Sequence, residues 1–219
     1  MALSAIFAAR SAELANCFLR FMAPSIPIRA SNAKAVRTKI VDAAIQLFLA
    51  DGFAETTVDM IAAAAGVSRR SVFRYFATKE DMALAWTAAT GPELVNQLTG
   101  LADAAPPLQA ALRAVMRHVD QHPEQYALSL AVGRLIEQTP SLRARSHEKY
   151  LLWEDLLATT LIAHGAPSTH SRMASALALS GLRLAVREWI ASDGQQPLAG
   201  LLAEAYHPFL IPNQPQQNL

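Results

Sequence analysis

These 219 residues predict an all-α protein of about nine helices, on three observations. Ala and Leu at helical spacing supply most of an apolar content of 52%. β-branched runs are few, and glycine and proline punctuate helical segments rather than cluster. Five windows in turn justify the elements.

Ile40, Ala43, Ala44, Leu47 and Phe48 recur at i, i+3, i+4, i+7 and i+8, a helix with one buried stripe. Asp51-Gly52 ends it, with Gly52 suited to the left-handed position beyond a helix. Thr57 is an N-cap for a second helix about two turns long, with Val58, Ile61, Ala62 and Ala65 on one face. Gly66-Val67 turns the chain, and Ser68 caps a third helix in which Val72 and Phe76 face inward at i and i+4. Thr78 caps a fourth, whose first turn holds Glu80 and Asp81. Later helices are expected at about 79–103 (broken at Gly91-Pro92), 107–121, 123–138, 141–164, 168–192 and 197–209, with Pro107, Pro123 and Pro197 in first-turn positions.

The flanks read differently. Residues 1–33 hold Arg10, Arg20 and Arg29 against one acid, Glu13, and close on Pro24-Ser25-Ile26-Pro27. They are expected to be a disordered extension, or sequence upstream of a start at Met22, with an organellar transit peptide as the competing reading; the n-region and h-region of a secretory signal are missing. A helix-turn-helix domain is expected at 34–80, a larger helical domain at 81–212 and a disordered tail at 213–219. Arg29, Lys34, Arg37 and Lys39 would form a basic arm ahead of the first helix.

Composition narrows the function classes. No window of 18 apolar residues is free of charge, so no membrane span is expected. The single cysteine, Cys17, permits no intramolecular disulfide and favours a reducing compartment, hence a cytoplasmic location. A net charge of +1 means that any nucleic-acid reading rests on local clustering. Such a cluster exists: between residues 66 and 79 stand Arg69, Arg70, Arg74 and Lys79 with no acid. With Val72 and Phe76 turned inward, Arg69, Arg70, Ser71 and Arg74 look outward from a short helix after a tight turn. That arrangement suits a DNA major groove, which admits one helix and offers guanine acceptors to arginine.

The run Arg37-Thr38-Lys39-Ile40 to Phe53, then Thr57-Val58-Asp59-Met60-Ile61-Ala62, then AGVSRRSVFRYFATKEDM, resembles the DNA-binding domain of the tetracycline-repressor (TetR) family over about 46 continuous residues. The resemblance implies an all-helical homodimer: three N-terminal helices on double-stranded DNA with a palindromic operator, and a C-terminal domain for ligand binding and dimerisation. It implies a repressor released by a small molecule; an activator built on the same domain is the alternative. Position by position, it implies phosphate contacts at Thr57, Ser68, Tyr75 and Lys79 and base contacts at Arg69, Arg70 and Ser71. Phe73, Arg74, Lys34 and Arg37 are further candidates for DNA contact. The family often has Tyr where Phe73 stands, and Phe lacks the hydroxyl that would reach a phosphate. A helical enzyme or interaction module with a merely structural helix-turn-helix would not need an acid-free basic face.

In the larger region, Ala174, Ala178, Gly181 and Ala185 form a small-residue stripe at spacings of four, three and four. With Leu198, Leu201, Leu202 and Ala205 of the last helix, the stripe is where the family builds its dimer interface; packing within the monomer is the competing reading. Arg143, Arg145, His147, Tyr150 and Trp153 share the 141–164 segment. Arg145, Tyr150 and Trp153 are the ligand-pocket candidates, for an effector that is apolar with an acidic head such as an acyl-CoA or a fatty acid; a solvated face over core aromatics is the bland alternative. The run also resembles actinobacterial members of the family that answer to acyl or aromatic compounds. His118 and His122 lie four apart, but no Glu follows His118 and Pro123 ends the helix, so both are expected at the surface. No metal, cofactor or catalytic residue is expected.

Overall fold

The first helix stops where the sequence removes the penalty on a left-handed turn: Gly52 has φ 94°. A computed structural model describes residues 27–121 and 126–210. Among these residues it contains ten α-helices, one 3-10 turn and no strand. Capping residues and apolar stripes account for most of their ends, and Cys17, His122 and the tail 213–219 lie outside the described residues.

Helix α1 runs Pro27–Asp51. It therefore already contains Arg29, Lys34, Arg37 and Lys39, which the sequence suggested as an arm ahead of the helix. Its buried face is Ile40, Ala44 and Phe48, each 1% exposed or less. Helix α2 (Val58–Ala64) starts at Thr57, whose hydroxyl accepts from the Met60 N–H at 3.2 Å. Gly66, at φ 65°, turns the chain into α3 (Arg69–Tyr75), where the Ser68 hydroxyl accepts from the Ser71 N–H at 3.1 Å. Val72 and Phe76 are 0% and 2% exposed, so the inward face of this helix is as the period indicated. Helix α4 (Lys79–Leu84) begins with the Thr78 hydroxyl accepting from the Asp81 N–H at 3.1 Å.

The chain divides into two compact units between Ala83 and Leu84. The second unit opens with the 3-10 turn Ala85–Thr87 and continues through α5 (Thr90–Thr99), α6 (Pro107–Asp120), α7 (Tyr126–Gln138), α8 (Pro140–Ala163), α9 (Ser168–Ala191) and α10 (Leu198–Leu210). The break expected at Gly91-Pro92 falls earlier, because Pro92 occupies the first turn of α5, where its missing N–H costs nothing.

The core of this unit is an α6–α9–α10 contact. Ala110, Ala111, Ala114 and Val115 are fully buried with Ala178, Leu179, Leu182, Leu202 and Tyr206. This corrects the dimer-interface assignment. Ala174, Ala178, Ala185, Leu198 and Leu202 are 8% exposed or less within one chain, so their side chains are unavailable to a partner. Gly181 completes the stripe by admitting the ring of Tyr206, whose hydroxyl donates to the Ala178 carbonyl at 2.5 Å. No helix among the described residues is long and apolar enough to cross a membrane.

Candidate nucleic-acid interface and ligand cavity

Helix α3 turns Val72 into the core and presents Arg69, Arg70, Phe73 and Arg74 outward. Arg70 is exposed, and among the described residues it has no hydrogen bond or ion pair. Arg69 is equally exposed, but its guanidinium donates to Asp59 Oδ2 at 2.9 Å and lies 5.6 Å from the centre of the Phe73 ring. Phe73 itself is 47% exposed, so it is a surface aromatic flanked by cationic groups rather than a core residue. Ser71 faces inward along its own turn, its hydroxyl 3.0 Å from that of Ser68. Arg74 lies over the Tyr75 ring at 5.0 Å and donates to its hydroxyl at 3.3 Å.

Two basic residues do something other than wait for phosphate. Lys79 donates to the carbonyls of Phe53 at 2.8 Å, Ala54 at 3.4 Å and Thr56 at 2.8 Å, and its ammonium lies 4.6 Å from the Phe53 ring centre. An ammonium has three donors, so this lysine ties the loop between α1 and α2 to the start of α4. That loop is itself closed by Thr56, whose hydroxyl and N–H both donate to the Gly52 carbonyl, at 2.8 and 3.3 Å. Arg37 lies with its guanidinium 5.0 Å from the Phe76 ring centre, and burial lowers its basicity. It belongs to the packing of α1 on α3, whereas Lys34 is exposed. Sequence reasoning missed the Lys79 and Asp59 contacts, since both join residues ten or more positions apart.

The second unit holds a partly open cavity of about 710 Å³ between α5, α6, α7, α8 and α9. Tyr150 and Trp153 line it, as do Trp86, Thr87, Tyr126, Val132, Ile136, Leu182 and Trp189. Arg145 does not. It projects from the other side of α8 and pairs with Glu148 one turn on. The reason is helical phase: Arg143, His147, Tyr150 and Trp153 step by four, three and three onto the cavity side, while two residues from Arg143 is about 200° round the helix.

The charged lining is mainly basic, with Arg143, Lys149, Arg183 and Arg187 against Glu93 and Glu137. His118, expected at the surface, is a largely buried wall residue with Nδ1 3.3 Å from Glu93 Oε2. Lys149 Nζ sits 4.5 Å from the Trp153 ring centre and 5.0 Å from that of Tyr150, and the desolvation imposed by this wedge lowers its pKa to about 8. Burial likewise pushes the Tyr150 hydroxyl up to about 12, which keeps it a neutral donor. Among the described residues no three His, Cys, Asp or Glu side chains gather as a metal site would require.

Comparison with known proteins agrees with this division into a DNA-facing unit and a cavity-bearing unit. Residues 40–86 match the family described as bacterial regulatory proteins, tetR family, and residues 105–209 match the MftR C-terminal domain. The chain is 33% identical over 173 residues to MftR, the candidate mycofactocin biosynthesis transcriptional regulator of Mycobacterium tuberculosis, covering 76% of this chain and 85% of that protein. It is 34% identical over 142 residues to the transcriptional regulator TcmR of Streptomyces glaucescens, covering 62% of this chain and 63% of TcmR. Among solved structures, the Thermus thermophilus repressor FadR in complex with lauroyl-CoA is 25% identical with a TM-score of 0.56, over 84% of this chain and 100% of that one. SmeT of Stenotrophomonas maltophilia, solved with triclosan, shares the fold at 16% identity and a TM-score of 0.57, over 84% of this chain and 99% of SmeT. Capped recognition helix, cavity-bearing helical unit and sequence relatives together establish that the chain is a DNA-binding transcriptional regulator of the TetR family.

Proposed function

We propose that the protein is a homodimeric repressor that leaves a palindromic operator when an apolar ligand with an anionic head enters the cavity of its second unit. The observation that carries the reading is the outward face of α3. Arg70 is exposed and unpaired among the described residues, on a helix whose start is fixed by Ser68 and whose back is fixed by Val72 and Phe76. A side chain so placed can reach guanine without first rearranging. Thr57 and Ser68, at helix starts, offer hydroxyl and N–H groups to phosphates, with Tyr75 beside them.

A dimer matches a palindrome because two recognition helices roughly 34–36 Å apart meet successive major grooves. The surface we assign to it is not the buried small-residue stripe but an exposed apolar stripe about 90° round α9 from it. Met173, Leu177 and Leu184 lie there at spacings of four and seven, with Met173 and Leu184 68% and 51% exposed. Phe209 adds an exposed aromatic on α10. For the ligand, the basic excess in the lining and the acyl thioester held by the Thermus thermophilus FadR favour an anionic head on an apolar body. Trp86 and Thr87, which line the cavity, follow directly after α4, the helix that begins at Lys79. A ligand that binds better when this segment moves couples the cavity to operator spacing; equal affinity for both states would couple nothing.

The test is titration of the full chain against the DNA upstream of its own gene and against random duplex, at two salt concentrations. Specific binding should exceed random binding at both, with affinity falling steeply as salt rises. Equal affinity for both duplexes would refute the regulator's proposed operator reading.

A further inference from the structure

Lys149 is a lysine in an unusual setting for a charged group. The chain has four lysines, and Lys149 is the only one after residue 79. Its amine lies between the faces of Trp153 and Tyr150 at 4.5 and 5.0 Å, and among the described residues no carboxylate or other acceptor pairs with it. The amine lines the cavity, where Arg183 and Arg187 already supply permanent positive charge. A guanidinium serves an anion better than an amine that sheds its proton easily, so the lysine is free for other chemistry.

We propose that Lys149 captures aldehyde ligands in the cavity as a reversible imine. The Nζ lone pair attacks the carbonyl carbon, the oxygen takes a proton to give a carbinolamine, and loss of one water leaves a C=N bond. Nothing is oxidised or reduced, and hydrolysis returns amine and aldehyde. The setting matches the requirement for an amine nucleophile, a lysine packed against two aromatic rings with cationic arginines in the same cavity wall. With a pKa near 8 in place of 10.5, about 9% of the amine is neutral at pH 7, against about 0.03% for a free lysine. Lower basicity reduces intrinsic nucleophilicity, so a net advantage on the order of tenfold over surface lysines is expected.

The inference rests on the cavity being the ligand site, and three probes separate the two readings. 4-Formylbenzoate carries both an anion and an aldehyde, benzaldehyde lacks the anion, and benzoate lacks the aldehyde. Each is incubated with the full chain and cyanoborohydride, followed by peptide mapping, while release of operator DNA is measured in parallel. Both aldehydes should label Lys149 about tenfold faster than Lys34 and Lys39 in the same molecule, and Lys149→Arg and Lys149→Met should lose that label. Labelling spread evenly over the three lysines would overturn the proposal, without reference to any variant's folding. Label at Lys149 without DNA release would leave imine capture standing and remove the effector reading. DNA release by 4-formylbenzoate without label at Lys149 would do the reverse.

Discussion

Gly181→Ala tests whether the small-residue stripe of α9 serves its own chain. A Cβ at this position would stand 2.3 Å from Tyr206 Cε1, 3.0 Å from Cδ1 and 3.3 Å from Cζ, where ordinary contact begins near 3.4 Å. The ring has little room to yield, being 1% exposed with its hydroxyl held by the Ala178 carbonyl at 2.5 Å. Overpacking of a tight core costs about 1–3 kcal/mol, and a contact this short takes the upper end. Replacing a mid-helix glycine by alanine returns about 1 kcal/mol of helix propensity. The net loss is about 2 kcal/mol, a fall in Tm of roughly 4–8 °C for a chain of this size. With Tyr206→Leu the obstructing ring is gone, so the same substitution becomes neutral or stabilising by about 1 kcal/mol. A double-mutant cycle read by urea denaturation should therefore give a coupling of about 2–3 kcal/mol. Equal effects of Gly181→Ala in both backgrounds would refute the packing argument. A loss that vanishes on dilution to monomer would return the stripe to a dimer contact.

Arg70→Ala should cost about 1–3 kcal/mol on operator and much less on random duplex, as competition binding would show; equal losses would sink its role in reading bases. Lys79→Ala should loosen the Gly52–Thr57 loop, because it removes three carbonyl contacts worth about 2 kcal/mol together, and through that loop weaken both duplexes alike. Hydrogen exchange of the loop amides in the full chain checks the first half, and unchanged protection would mean that the tie carries no energetic weight. Lys149 is depressed from 10.5 to about 8 by desolvation, so between these values the unfolded chain binds the extra proton and stability rises with pH. Subtracting the pH profile of Lys149→Met from that of the parent should isolate this rise, and parallel profiles would contradict it.

What was legible in the sequence is what depends on near neighbours. Thr57, Ser68 and Thr78 each cap a helix through an N–H three residues on, and Gly52 and Gly66 take the positive φ that their turns require. A cap or a left-handed turn is settled within one turn of chain, so residue type and spacing suffice. The stripe at Ala174, Ala178, Gly181 and Ala185 was visible too, but small residues only say that something approaches closely. Whether the visitor is Tyr206 of the same chain or a second copy is a tertiary fact. The cavity failed differently. Arg143 and Arg145 are chemically equivalent, and only helical phase sends the first to the cavity and the second to Glu148. Lys149, Arg183 and His118 come from three helices, and no local pattern marks side chains that converge from separate segments.

The Asp59–Arg69 pair shows why magnitude decides a role that geometry alone leaves open. An arginine already bound to an acid looks withdrawn from DNA. Yet the two side chains are 60% and 65% exposed, and an ion pair in that setting contributes about 0–1 kcal/mol. A bidentate contact to guanine is worth about 1–3 kcal/mol of discrimination, so DNA can outbid Asp59. What the acid does instead is hold the guanidinium near the Phe73 ring, limiting the rotamers Arg69 must give up on binding. Arg69 and Arg70 therefore differ in kind. On the proposed reading Arg70 would meet DNA with nothing to release, while Arg69 would exchange one partner for another, and Asp59→Asn should raise affinity for random duplex more than for operator. Anisotropy titrations with both duplexes would show it, and a larger gain on operator would mean that Asp59 withholds a base contact rather than a phosphate one.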